Sequence, residues 1–251
     1  MSVIALHQNS GSAASAGDEL LRLRAKAARL DTMGLLEWVL SEVFPGRIAV
    51  VSSFAAESVV LLHHVAAIDP TTPVLFLNTG KLFGETLRYR DRLQDVLGLT
   101  DIRAIGPHPD DRKASDAEGT LWSRDPDACC HFRKVVPLAR AVAGFSATIT
   151  GRKRFQTAMR ATMERVELVD GRFRINPLVD WNLAELSAYV EEKGLPKHPL
   201  VLDGYPSIGC MPCTRRVATG ENYRAGRWAG FDKDECGIHG GAKAGIDGDG
   251  I

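Results

Sequence analysis

From residue 48 onward, short runs of β-branched and aliphatic residues alternate with stretches whose apolar residues recur at helical spacing, and no other feature of this chain restricts its fold as tightly. Ile48–Ser52, residues 74–78, Ile102–Ile105 and Ala147–Thr150 read as strands; residues 57–68, 85–97 and 130–143 read as the helices between them. Strands this short, separated by helices, predict a doubly wound α/β fold: a mostly parallel sheet with helices on both faces. Val166–Val169 and residues 173–175 flank Asp170-Gly171, a two-residue hairpin signal, so one antiparallel ribbon is expected near the end of the sheet. Residues 182–193 read as a further helix closed by Gly194. Between Asp18 and Val43 the leucines fall at helical spacing, which places one or two amphipathic helices over the sheet.

Net charge excludes little by itself. Thirty-one Lys and Arg offset thirty-one Asp and Glu, so the chain lacks the basic excess of many nucleic-acid binders, and no nucleic-acid partner is expected. No apolar run approaches the ~18 to 20 residues that cross a bilayer, and the small, polar start has no positive flank before an apolar core. A cytoplasmic protein without a membrane partner is the expectation. Charge is nevertheless segregated: between Cys129 and Arg160 stand seven basic residues (Arg133, Lys134, Arg140, Arg152, Lys153, Arg154 and Arg160) and no acidic one. A local anion site can sit inside a neutral protein.

The five cysteines fall as Cys129-Cys130, Cys210-Met-Pro-Cys213 and a solitary Cys236. Cys-x-x-Cys is shared by zinc sites, iron-sulfur sites and redox pairs, and a vicinal pair is also compatible with two small buried hydrophobes. Together the pairs supply four thiols, enough for a closed metal site. Adjacent side chains diverge, which suits zinc poorly, whereas a 4Fe-4S cluster can take both on different irons. Arg133 and Lys134 each follow a cysteine of the first pair by four residues, on the same helix face; the plainer reading is a solvated basic face. Cys236, in a glycine-rich tail, is a poor structural element and a candidate nucleophile where its thiolate is favoured; the plainer reading is an incidental exposed thiol.

Ser52-Ser53-Phe54-Ala55-Ala56-Glu57-Ser58 lies where the first strand leads into a helix, the place where open parallel sheets bind anions. Its hydroxyls and amides suit a phosphate, and its serines equally suit helix capping. It is neither a Walker A loop nor a Gly-x-Gly-x-x-Gly turn. In its context the stretch resembles the modified phosphate loop of the PP-loop nucleotide-binding superfamily, in the form found in the reductases of adenylyl sulfate and its 3'-phosphorylated relative. Ala55 stands where that family usually has Gly, a departure that matters if the position needs a positive φ. Leu77-Asn78-Thr79-Gly80 resembles the family's Leu-Asp-Thr-Gly. Gly151-Arg152-Lys153-Arg154-Phe155-Gln156, leading toward Arg160, resembles its Gly-x-Arg-Arg-x-Gln arm, and Arg224 and Arg227 match arginines near the sulfonucleotide. The vicinal pair, a gap of 79 residues and Cys-x-x-Cys resemble the signature of the cluster-containing members. Glu235-Cys236-Gly237-Ile238-His239 resembles the terminal Glu-Cys-Gly-Leu-His of both reductases.

The resemblance covers roughly residues 45–239 and implies an adenine nucleotide alpha-hydrolase-like fold. It implies one 4Fe-4S cluster per chain on Cys129, Cys130, Cys210 and Cys213, with Lys134 beside it. The implied substrate contacts are Ser52, Ser53, Phe54, Leu77, Thr79, Lys134, Gly151, Arg152, Arg160, Arg224 and Arg227; Arg152 and Arg215 also read as surface residues or reductant contacts. Cys236 becomes the nucleophile and His239 a neighbour that positions or activates it. The implied activity is reduction of adenylyl sulfate to sulfite and AMP in assimilatory sulfate reduction, through a Cys S-sulfo intermediate, with thioredoxin or glutaredoxin as reductant and a homo-oligomer as the assembly. The expected layout is a disordered tail over residues 1–17, one α/β nucleotide- and cluster-binding domain over 18–213, and a C-terminal segment over 214–251 with the catalytic cysteine and a mobile end. Three rivals stand beside it. They are the same reaction on 3'-phosphoadenylyl sulfate, against which the cluster cysteines argue; a PP-loop ATP pyrophosphatase, whose Ser-Gly-Gly-x-Asp-Ser loop this chain lacks; and a non-enzymatic redox-sensing metal module.

Overall fold

Strands β1 (Ile48–Ser52), β2 (Val74–Leu77), β3 (Ile102–Ile105), β4 (Ala147–Thr150), β5 (Val166–Val169) and β6 (Arg172–Ile175) form one sheet in the order β3-β2-β1-β4-β6-β5. The structure is a computed structural model and describes residues 10–231, 233 and 235–239; the expected mobile end beyond residue 239 lies outside the described residues. All neighbouring strands are parallel except β5 and β6, which pair antiparallel across Asp170 and Gly171. Both turn residues have positive φ, 50° and 72°, as a tight two-residue hairpin requires.

The described helices are α1 (Ser10–Ala27), α2 (Thr32–Trp38), α3 (Ser58–Ile68), α4 (Gly84–Leu97), α5 (Pro109–Asp116), α6 (Leu121–Arg124), α7 (Pro126–Cys130), α8 (Val136–Ala141), α9 (Leu183–Glu192) and α10 (Pro199–Leu202). Strand alternation sends their contacts to two faces. Ile48 and Val50, with Val74, Phe76 and Ile149, pack against leucines and valines of α1 to α4 and α9. Ala49, Leu75 and Leu77 point the other way, onto Leu138 of α8 and Val142, and Ile238 from the C-terminal segment joins them. Chain order reverses between β1 and β4, so their carboxyl ends open a crevice at a topological switch point, where ligands of such sheets bind.

Two expectations need correction. The supposed tail over 1–17 is helical from Ser10, eight residues ahead of Asp18; the Ser-Ala-Gly run lacks apolar periodicity, but its alanines propagate a helix once one is anchored. Residues 1–9 lie outside the described residues. The helix expected over 130–143 starts earlier, where the Asp125 carboxylate accepts the Ala128 N–H at 2.8 Å and Pro126 opens the first turn. It is then interrupted by a π turn over His131–Val135, in which the Val136 N–H reaches back five residues to the His131 carbonyl. Pro137 follows at once and has no N–H to donate, a common cause of such a widening.

The irregular segment after Pro196 is fastened to α4. The Tyr89 hydroxyl donates to the Pro196 carbonyl at 2.7 Å, and His198 and Thr86 share a hydrogen bond of 3.1 Å. His198 Nδ1 accepts the Leu200 N–H at 3.2 Å, so the proton of the neutral ring sits on Nε2 and is donated to Thr86. Burial pushes the His198 imidazole down to about 4 from 6.5, against a weaker pull upward by Glu85. A base whose folded value is depressed stabilises the fold above its unfolded value, and that contribution is lost as pH falls from 6.5 to about 4. At ~1.4 kcal/mol per unit the loss is about 3 kcal/mol at most. Urea unfolding at pH 7.5 and pH 4.5 should therefore show a marked loss of stability in the wild type. His198→Asn, which can still cap α10, should show a flatter profile; equal slopes would remove His198 as the cause.

Candidate active site

The crevice is walled by the loop after β1, the end of β2, the arm after β4 and two pieces of the C-terminal segment. Ser52, Ser53, Leu77, Thr79, Lys134, Gly151, Arg152, Arg160, Arg224, Arg227, Cys236 and His239 all line it. It is a cleft partly open to solvent. One member of the expected set is absent: Phe54 is fully buried in the core, edge-on to Phe76 at 5.2 Å. Its backbone carries the turn instead. Phe54 has φ of 50°, so the left-handed residue of this loop is Phe54, and Ala55 is not among the positive-φ residues. The Phe54 N–H donates to Ser52 Oγ at 3.2 Å. The Ala-for-Gly departure therefore falls where no positive φ is needed. Gly80, with φ of 69°, faces Arg133 rather than the crevice.

Next to the crevice lies a second cavity of about 290 Å³ of atom-free space, lined by Cys129, Cys130, Cys210 and Cys213. Chain segments more than 75 residues apart meet here because Cys210 pairs as an isolated antiparallel bridge with Leu82, and the Met211 N–H donates to the Lys81 carbonyl at 2.7 Å. Thr79 Oγ1 lies 3.2 Å from Cys210 Sγ. Burial, and then the neighbouring Cys130, push the Cys129 thiol up to about 11; burial likewise raises Cys130 and Cys213. Bare, such thiols stay protonated, and only a bound metal makes thiolates of them. Among the described residues no three His, Cys, Asp or Glu side chains converge as they would on a single ion. Four thiols lining one small cavity, with Arg133 and Lys134 in its wall, are a donor set suited to an anionic metal centre.

Lys134 and Cys210 line both cavities. Burial alone would lower the Lys134 ammonium; Cys210, Cys236 and Cys130, once ionised, oppose this and raise it above the ordinary lysine value. Its Nζ stands 5.8 Å from the centre of the Trp228 ring, and the Arg227 guanidinium lies over the same ring at 4.4 Å. Arg227 also presses on Gly209, where a Cβ would come within 2.4 Å of the guanidinium. Arg133 is 2% exposed rather than solvated: it donates to the Thr79 carbonyl at 2.8 Å and forms an ion pair with Asp116.

Arg152 is neither a surface residue nor open to a partner protein. It is 8% exposed, paired with Glu167 at 2.5 Å and bonded to Asn176 at 3.1 Å, just beyond the end of β4 and beside the end of β6. Arg215, in contrast, is exposed and paired with Glu221. Burial drives the His239 imidazole well below its usual value, and Arg152, Arg174 and Arg160 add to the effect; the ring is neutral at physiological pH. Glu57, Trp228 and Glu235 are among the crevice residues that escaped the sequence reading as site members. Glu57 holds Lys153 in a buried ion pair and accepts from Gln156 at 2.8 Å, and Trp228 is the platform for three cations, Lys134, Arg227 and Lys233. Glu235 is bound by Arg160. A basic run without acids was the available signal, since buried cations require partners from elsewhere.

A family model described as phosphoadenosine phosphosulfate reductase domain matches residues 47–216. A Mesorhizobium japonicum protein named adenosine 5'-phosphosulfate reductase is 49% identical over 230 residues, which cover 89% of this chain and 91% of that protein. A Streptomyces coelicolor protein of the same name is 40% identical and is covered over 96% of its length. Among solved structures, phosphoadenylyl-sulfate reductase from Candida auris in its phosphate complex superposes with a TM-score of 0.68 at 23% identity, covering 85% of this chain and all of that one. Candida glabrata FMN adenylyltransferase superposes at 0.50 with 14% identity, covering 83% and 77%. At such identities the structural likeness shows the fold alone.

The Asp116–Arg133 pair, with side chains 1% and 3% exposed, is the most deeply buried charge pair beside the thiols. Asp116→Ala leaves the guanidinium buried without its counterion, so denaturant unfolding should report a loss of about 3 to 5 kcal/mol. A loss below ~1 kcal/mol, the range of surface pairs, would mean that Arg133 finds water or another partner.

Proposed function

The chain belongs to the phosphoadenosine phosphosulfate reductase family, and on that premise we propose that it reduces adenylyl sulfate to sulfite and AMP, with a dithiol protein, thioredoxin or glutaredoxin, as reductant. The observation that carries the reading is the placement of Cys236 in one crevice with Lys134, Arg224 and Arg227, at the carboxyl ends of β1 and β4. In this reading Ser52, Ser53, Leu77, Thr79 and Gly151 receive the nucleotide. Lys134, Arg224 and Arg227 receive the phosphosulfate, since guanidinium groups donate paired hydrogen bonds to such anions and keep their charge. The Cys236 thiolate attacks the sulfur, the sulfur–oxygen bond to the phosphate breaks, and AMP leaves with the electron pair. The cations stabilise the charge that develops on the leaving phosphate. Cys236 is left as S-sulfocysteine; a reductant thiolate attacks its Sγ, sulfite departs with the electron pair of the S–S bond, and the second reductant thiol resolves the mixed disulfide. His239, neutral at physiological pH, positions the terminal segment instead of adding charge to it.

Cys129, Cys130, Cys210 and Cys213 are the proposed ligands of a 4Fe-4S cluster. Such a cluster with four thiolate ligands is a net anion, supplying charge that Lys134 and Arg133 offset and fixing the wall shared with the crevice. The described helices include none long and apolar enough to cross a membrane, and the setting we propose is the cytoplasm.

Anaerobically purified protein should release sulfite from adenylyl sulfate in the presence of thioredoxin, with a large preference over the 3'-phosphorylated nucleotide offered at equal concentration. Cys236→Ser should lower the rate by about three orders of magnitude or more while leaving the iron content unchanged, and Cys213→Ser should lose iron. A preference for the 3'-phosphorylated nucleotide would keep the mechanism and change the substrate; no sulfite from either, with iron bound, would sink the reading.

A further inference from the structure

Among the described residues, two carboxylates line the crevice, Glu57 and Glu235. Glu57 is taken up by Lys153 and Gln156. Glu235 is the residue before Cys236, and all its visible partners come from the opposite wall. Arg160 grips both of its oxygens, Nε to Oε1 at 2.6 Å and an NH₂ to Oε2 at 2.7 Å, and the Thr157 hydroxyl donates to Oε1 at 3.0 Å. The two side chains are 17% and 13% exposed, so water screens the pair poorly. Two-pronged guanidinium–carboxylate contacts are directional as well as strong, whereas the packing of Ile238 on the second sheet face is apolar and does not fix a position. The 3-10 turns around Gln156 and Arg160 anchor this grip to the arm after β4.

We infer that Glu235 and Arg160 form a latch that seats Cys236 in the crevice, and that holding Glu235, rather than touching the substrate, is the role of Arg160. Closed, the latch presents the thiol to an anion held by Lys134, Arg224 and Arg227. Opened, it frees residues 235–239 so that a partner's thiol can reach Cys236. Glu235 is thus a positioning residue, acting through where it places its neighbour. The same geometry explains why a carboxylate sits in a crevice otherwise suited to anions: it competes for one guanidinium that is spared for it.

The test is the rate at which iodoacetamide alkylates Cys236 in the anaerobically purified, metal-loaded full chain without nucleotide, read by peptide mass spectrometry. Glu235→Gln and Arg160→Ala should each accelerate labelling about tenfold, equivalent to ~1.4 kcal/mol. The double variant should be no faster than the faster single one, since both remove one interaction. Arg160→Ala is decisive, because losing a nearby cation by itself disfavours the thiolate and slows alkylation; only unseating accelerates it. Thr157→Ala, which changes no charge, should give a smaller acceleration, and Glu235→Asp, which keeps the charge on a shorter stem, should fall between wild type and Glu235→Gln. If Arg160→Ala does not fold, Glu235→Gln and Thr157→Ala decide together. Wild-type labelling rates in these variants, or an Arg160→Ala protein that labels normally but binds AMP ten times more weakly, would overturn the latch and return Arg160 to the substrate contacts. The inference rests on Cys236 as the reactive thiol, yet labelling needs no turnover, so a failed reductase assay and a failed latch are separate results.

Discussion

Arg133, Lys134, Arg152, Lys153, Arg160 and Arg227 bring positive charge together around two adjoining cavities at the carboxyl ends of the strands, and little else in the structure is free of that constraint. Like charges at low dielectric repel, and desolvating each costs several kcal/mol. Four of the six are answered by carboxylates delivered from other parts of the chain: Asp116, Glu167, Glu57 and Glu235. The last two share the face of Trp228. The division separates cations paired with carboxylates among the described residues from those whose described contact is an aromatic face.

The second half of the chain earns its place by docking on the first. Tyr89 and His198 tie the segment after Pro196 to α4, and the Leu82–Cys210 bridge then carries Cys210 to the loop after β2. From there the chain returns: the Arg215 N–H donates to the Gly226 carbonyl at 2.8 Å and the Trp228 N–H to the Cys213 carbonyl at 2.9 Å. These backbone contacts hold Trp228, Arg227 and the thiols in one block, so the aromatic platform and the cysteine cavity are fixed by the same few hydrogen bonds.

Much of this was legible from residue order. Ile102–Ile105 and Ala147–Thr150 match the expected strands to the residue, because Gly and charged residues bound the β-branched runs. The loops after β1, β2 and β4 were legible because each is a short motif at the end of a strand, and the two cysteine pairs because a vicinal pair and a Cys-x-x-Cys stand out wherever they fall. What was not legible is of another kind. Glu57 and Lys153 are 96 positions apart, Arg160 and Glu235 75; spacing rules reach only neighbours on a helix or a strand. Phe54 reads as a site residue from its loop, which does line the crevice, but a large apolar side chain beside Phe76 is worth more in the core than in the crevice. The start of α1 was missed for the opposite reason, an alanine-rich run with propensity but no apolar stripe.

Lys134 and Cys210 stand in the partition between the two cavities, each with a face on both sides. A partition is owned jointly. Any substitution at either position alters the lining of both chambers at once, so at these two positions the crevice cannot change while the thiol cavity stays fixed. Of the four paired cysteines Cys210 is the one that lines the crevice, so replacing it reshapes that wall as well as the thiol cavity.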